Sequence, residues 1–156
     1  MTVRRARPED AAGLAALLNE IIAIGGTTAY QTPRTPETFR QTFIERPGHV
    51  GCLVAEGADG ALLGFQHLDR EGATGYIASF ARARPKVPGV GRALMAETLK
   101  AAREAGIASI VAKIRADNAP GLGFYSAMGF EDWTVDRAVP LTDGTPVDRI
   151  SKRLVL

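Results

Sequence analysis

Sulfur and imidazole are scarce in this chain. Among 156 residues there are one cysteine, Cys52, and two histidines. A lone cysteine excludes an internal disulfide and makes a reducing cytoplasm the expected setting. No metal site is expected. Long hydrophobic runs are missing too: none approaches the ~20 residues that cross a bilayer as a helix, so no membrane association is expected. The opening Met1-Thr-Val-Arg-Arg5 turns polar without the apolar stretch of a secretory signal. Charge of one sign is also lacking. Nineteen Lys and Arg stand against seventeen Asp and Glu, a net +2. The basic residues are scattered, whereas a nucleic-acid footprint gathers them on one face. No nucleic-acid partner is expected. The length suits one domain, residues 1–156, with a real core.

What is present is a change of hydrophobic period along the chain. Residues 2–6 read as a short strand. Pro8, Glu9 and Asp10 suit the start of a helix, and Leu14, Leu17, Leu18, Ile21 and Ile22 form its apolar stripe up to Gly25-Gly26. A second helix is expected from Thr35 as N-cap to before Pro47-Gly48. Alternation then takes over. Val50–Ala55 and Ala61–Leu68 flank Gly57-Ala-Asp-Gly60 as a hairpin, and Thr74–Arg82 is a further strand. Cys52, within Val50–Ala55, reads as a small buried residue rather than a reactive thiol. Val90–Ala105 is helical with Gly106 past its end, and Ser109–Arg115 is a strand. Asn118 caps a short helix closed by Gly129. Strands near Glu131–Arg137 and Pro146–Leu154 turn through Asp143-Gly144. The order β, α, α, β, β, β, α, β, α, β, β implies an α/β domain. Its sheet is mixed and mostly antiparallel, of about seven strands, with helices on both faces.

Two segments carry chemistry. Lys86-Val-Pro-Gly89-Val-Gly91-Arg92 follows a strand and opens the Val90 helix. The first four N–H groups of a helix lack partners, and roughly half a positive charge resides there, so glycines at this point suit a phosphate. Lys86 and Arg92 would bracket it. About a strand further on comes Asn118-Ala-Pro-Gly-Leu-Gly-Phe-Tyr125-Ser-Ala-Met-Gly129-Phe130. In order and separation the pair resembles the GNAT superfamily of N-acetyltransferases, over nearly the whole chain. That family's acyl-CoA motif is Arg or Gln, two residues, Gly, one residue, then Gly or Ala. Its later signature is an Asn, a Tyr and a closing Gly-Phe. Two departures stand out. Lys86 replaces Gln or Arg and loses the bidentate fork. Pro88 removes one potential N–H donor. Weakened or shifted cofactor binding is the expected consequence.

The resemblance implies acetyl-CoA as acyl donor and a cofactor site in two parts. Ser79, Phe80 and Ala81 would pair with the pantetheine arm along a strand edge. Lys86, Val87, Gly89, Val90, Gly91 and Arg92 would hold the pyrophosphate, with Asn118 nearby, although Asn118 is also a simple helix cap. A backbone N–H near Ala81 would polarise the thioester carbonyl. Tyr125 would donate to the leaving thiolate; the alternative is an aromatic sealing the helix onto the sheet.

The base is less defined. The strand Thr74–Arg82 lacks the carboxylate many relatives have there. Deprotonating a lysine-type amine at neutral pH costs about 4.6 kcal/mol, an α-amine only about 1–1.5 kcal/mol. This favours a small, amino-acid-like amine as acceptor. His67 has the pKa range of a base but also reads as structural, while Tyr76 and Ser79 could hold a water relay. The loop Gly25–Pro33 looks like that of the phosphinothricin and amino-acid acetyltransferase branch, which often has His at the position of Tyr125. Thr28 and Tyr30, with His67 and Tyr76, would then line the acceptor side; the alternative for Thr28 and Tyr30 is a packed-down loop. Gln66 could face the same space as His67. Two further functions compete with small-molecule transfer: acyl-CoA sensing without turnover, and acetylation of a protein amine. A dinucleotide oxidoreductase fails on glycine spacing. A homodimer is expected from the resemblance.

Overall fold

The structure, a computed structural model, describes all 156 residues. Seven strands form one sheet in the order β1-β2-β3-β4-β5-β7-β6. They are β1 (Thr2–Arg5), β2 (Gly51–Glu56), β3 (Leu62–Glu71), β4 (Thr74–Ala81), β5 (Ser109–Arg115), β6 (Glu131–Pro140) and β7 (Pro146–Val155). All neighbours are antiparallel except β4 and β5. That parallel contact needs a crossover, supplied by helix α3 (Val90–Glu104). Helix α4 (Ala119–Ala127) follows β5.

Strand alternation divides the core into two layers. On one face, α1 (Ala11–Ile24), α2 (Pro36–Phe39) and the turn that follows it bury Leu14, Leu18, Phe39 and Phe43 against Val54, Phe65 and Phe80. On the other, α3 and α4 cover Leu68, Ile77, Ile110, Ala112 and Ile114. Cys52 lies in the first layer, and burial pushes its thiol up to about 12. It is inert at neutral pH. No helix is long and apolar enough to cross a membrane.

The expected second helix changes winding partway. Thr35 caps α2 through its hydroxyl, which accepts the Thr38 N–H at 3.1 Å, but Arg40–Ile44 is a π-helical turn. With this turn in place, Phe39 and Phe43 both meet Phe65, with ring centres 5.1 and 5.6 Å away.

One irregularity of the sheet matters most for function. β3 and β4 pair along their full length, from Glu71–Thr74 to Gly64–Ala81. β4 and β5 pair only at Thr74–Ser109, Gly75–Ile110 and Tyr76–Val111, after which β5 continues with β7 alone. From Ile77 onward a gap opens between two strands that began side by side.

Candidate active site

The edge of β4 facing this gap can be read from its pairing. The Arg82 N–H donates to Leu63 O at 2.8 Å. Backbone direction alternates along a strand, so Phe80 and Ala78 also turn their backbone to β3. Ser79 and Ala81 turn theirs to the gap. Of the three residues expected to border a pantetheine arm, two therefore present N–H and C=O there. Phe80 instead supplies its ring to the α1 layer, stacked on Phe65 at 4.8 Å.

The gap is bridged at one point. Tyr125 on α4 and Ser79 on β4 share a hydrogen bond of 2.7 Å between hydroxyls. Tyr125 is buried and packs edge-on against Phe124 and Phe130. Burial pushes its phenol up to about 12, partly offset by the Ser79 bond. The group is thus an O–H donor across the ordinary pH range. Tyr125 also seals its helix to the sheet through its ring, which leaves the hydroxyl on Ser79.

The glycine loop has the anticipated form. Gly89 caps α3 in the left-handed region, at φ +83°, where a side chain is strained. The first intrahelical bond runs from Ala93 N–H to Gly89 O, so Gly89, Val90, Gly91 and Arg92 keep amides without helical acceptors. Val90 anchors the turn in a small cluster with Ala55, Leu63 and Leu94. Gly91 is fixed by packing: a Cβ there would come within 2.7 Å of the Phe124 ring. Lys86, Val87 and Arg92 flank the loop at its partly or fully exposed rim.

Asn118 caps α4, its Oδ1 accepting the Gly121 N–H at 3.0 Å. Its amide nitrogen is also engaged, donating to Thr27 O at 3.2 Å. Both ends of the side chain are thus satisfied within the protein.

The expected acceptor residues share one sheet face, that of α1. Tyr30 packs on Phe80 and Phe43, each with ring centres 6.0 Å away, and Arg34 lies over its other surface at 5.0 Å. Thr28 is buried, and its hydroxyl accepts the Tyr30 N–H at 3.0 Å. The loop is therefore packed down, and its aromatic ring forms a wall. Phe43 links Tyr30 to His67, whose ring is 5.2 Å away. Tyr76 stands more exposed, across from Asp69. Gln66 and His67 do not share a space: successive strand residues point oppositely. Gln66 faces α3, accepting from the Thr98 hydroxyl at 2.6 Å.

His67 is not the free base its pKa suggests. Its Nε2 lies 3.0 Å from His49 Nδ1. Burial first, and then the neighbouring His49, push it down to about 4. His49 was not legible as a partner, because it precedes β2 in a loop with no periodic signal. Arg115 also escaped sequence reading. It ends β5, nearly buried, with a fork of 2.9 and 2.7 Å to Asp117. Its third nitrogen donates to Thr28 O at 3.2 Å. The Asp117 hydrogen bonds hold the guanidinium above its usual range, and the Asp117 carboxyl below its own. An Arg-x-Asp-Asn run at a strand end was the available signal.

Comparison with known proteins agrees with this fold. The Acetyltransferase (GNAT) family profile matches residues 16–130. The chain belongs to this family, and it is an acetyl-CoA-dependent N-acetyltransferase. It is 29% identical to YwnH of Bacillus subtilis (strain 168), provisionally named a phosphinothricin acetyltransferase, covering 95% of this chain and 94% of that one. It is 30% identical to the L-methionine sulfoximine/L-methionine sulfone acetyltransferase of Pseudomonas aeruginosa strain PAO1, covering 83% and 80%. The crystal structure of a phosphinothricin acetyltransferase from Sinorhizobium meliloti in complex with AcCoA superposes with a TM-score of 0.85. It is 21% identical, and the match covers 99% of this chain and 88% of that one. At that identity the likeness is one of fold.

Proposed function

We propose that this enzyme acetylates the amine of a small, amino-acid-like molecule by direct attack within a ternary complex in the gap between β4 and β5. The observation that carries this reading is the Tyr125–Ser79 hydrogen bond across that gap. Pantetheine amides would extend the sheet against Ser79 and Ala81. The pyrophosphate would rest on the amides of Gly89, Val90, Gly91 and Arg92, with Lys86 and Val87 at its side. The Ala81 N–H polarises the thioester carbonyl. The amine lone pair then forms the C–N bond, the C–S bond breaks, the extra proton on nitrogen leaves through ordered water to solvent, and the Tyr125 O–H donates to the departing thiolate. Tyrosine is a weaker acid than a thiol, with reference values of about 10 and about 8.5. Tyr125 therefore steadies the thiolate by a hydrogen bond, and solvent delivers its proton.

The acceptor class is supported by three things. The Pseudomonas relative acts on methionine sulfoximine and sulfone. β4 has no carboxylate to act as base. His67, held to about 4, is a poor base at neutral pH. An α-amine needs the least help, so Tyr76 with an ordered water suffices as relay in this reading. Tyr30 forms the wall opposite. The free, buried Cys52 thiol fits a cytoplasmic setting. Pairing of two copies would use the exposed strand β6, where Trp133 and Val135 are solvent-facing.

The test is release of coenzyme A thiol from acetyl-CoA over an amine panel headed by L-methionine sulfoximine and phosphinothricin. Turnover with an amino-acid-like amine is expected. Acetyl-CoA binding without release on any amine would instead identify a sensor.

A further inference from the structure

Beyond the packing of Tyr30 and its bond to Thr28, the loop between α1 and α2 is held by hydrogen bonds to other elements. At its far end Asn19 holds Arg34 by a reciprocal pair, Arg34 N–H to Oδ1 at 2.7 Å and Nδ2 to Arg34 O at 2.8 Å. Its tip touches the β6–β7 hairpin where the Thr142 N–H donates to Gln31 Oε1 at 2.9 Å. Nearer α1, ahead of both points, two consecutive carbonyls are taken by one corner of the fold. Asn118 donates to Thr27 O and Arg115 to Thr28 O, each at 3.2 Å. That corner joins β5 to α4, the helix bearing Tyr125, and it is itself closed by the Asn118 N–H donating to Arg115 O at 3.0 Å.

We propose that Arg115 is a positioning residue for the acceptor amine: by holding Thr28 O it fixes the Tyr30 wall relative to the helix that carries Tyr125. The inference rests on the acetyltransferase reading above. Arg115 is poorly suited to bind an acceptor carboxylate itself. Three of its five N–H donors are used, by Asp117 at Nε and Nη2 and by Thr28 O at Nη1, and its charge is already matched by Asp117. The bidentate carboxylate sets the plane of the guanidinium, and the plane aims Nη1 at the carbonyl. A lysine would keep the charge and lose this aim. Thr28 is itself buried, so an unpartnered carbonyl there would pull the loop toward water. Tyr30 would follow, because its N–H is held by the Thr28 hydroxyl.

The experiment is steady-state thiol release by wild type, Arg115→Met, Arg115→Lys and Asp117→Asn, with the amine panel headed by L-methionine sulfoximine, alongside melting temperatures. Asp117 is half exposed, so Asp117→Asn carries the test should Arg115→Met fail to fold. Loss of one charge-assisted bond predicts an acceptor KM raised at least about tenfold in Arg115→Met, with the acetyl-CoA KM within about twofold of wild type. Arg115→Lys should recover part of the loss, and Asp117→Asn should raise the acceptor KM in the same direction by less. An acceptor KM unchanged in Arg115→Met would overturn the proposal. So would an acceptor KM lowered by Asp117→Asn, since a freed guanidinium would then be binding the acceptor directly. Absence of turnover by wild type on every amine would overturn the acetyltransferase reading itself, and this inference with it.

Discussion

Tyr125 does two things with one side chain. Its ring seals α4 to the sheet, and its hydroxyl reaches Ser79 at 2.7 Å. Tyr125→Phe keeps the ring and removes the donor, so structure and chemistry separate. General-acid groups contribute typically 10²–10⁴-fold, and a hydrogen bond without full transfer lies at the lower end. A fall in kcat of about 10²-fold is expected, with acetyl-CoA affinity little changed, measured by thiol release and calorimetry.

His67 makes a different prediction, one of stability. Its folded pKa is about 4 against 6.5 for the unperturbed imidazole. Between those values the unfolded chain binds more protons than the folded one, so stability rises with pH. The contribution is fully present above about pH 6.5 and is lost as pH falls toward 4, a total of roughly 2–3 kcal/mol. Urea unfolding at pH 4.5 and pH 7 should show this difference reduced in His67→Phe. Sequence gave the identity and strand of His67 but not its state, because desolvation depends on Phe43 and His49, which arrive from other elements.

At the scale of elements, the glycine loop depends on how α3 meets α4. Gly91 is the contact, with Phe124 seated where a Cβ would stand. Gly91→Ala is expected to push the two helix starts apart and destabilise the fold by about 1–3 kcal/mol, the usual cost of overpacking. It should also weaken acetyl-CoA binding more than Tyr125→Phe does, because the loop amides move with the helix. Thermal unfolding and calorimetry check both effects.

Most elements were legible before any coordinates. Proline and acidic residues mark a separate 3₁₀ turn, Pro8–Asp10, just ahead of α1 rather than its first turn; Thr35 and Asn118 are true caps, and Asp143-Gly144 does turn β6 into β7. The π turn at Arg40–Ile44 was not, since apolar spacing at Phe39 and Phe43 reads as an ordinary helix. The glycine loop was legible as a possible anion cradle. The parting of β4 from β5 was not a local property at all. It arises from pairing between distant segments, as β5 leaves β4 after Tyr76–Val111 and continues with β7.

At the scale of the molecule, the sheet separates two groups of side chains. The α3 and α4 face carries the loop and the Tyr125 helix, while the α1 face carries Tyr30, His67 and Tyr76. In the proposed mechanism the two groups meet at the gap between β4 and β5. The β6 edge remains outside this arrangement, with Trp133 half exposed and Arg153 stacked on it at 4.7 Å. If two copies pair there, Trp133→Glu should convert a dimer to a monomer in sedimentation velocity without lowering the melting temperature of the protomer.

The account stands on the gap as the seat of acetyl-CoA, and calorimetric titration of acetyl-CoA into the purified protein tests it most directly, with Gly91→Ala run in parallel. Binding in the ~1 μM to 1 mM range common for enzyme substrates, with a clear weakening in the variant, is the expected result. Equal binding by both proteins would contradict the assigned site, and no heat of binding at millimolar acetyl-CoA would contradict the mechanism as a whole.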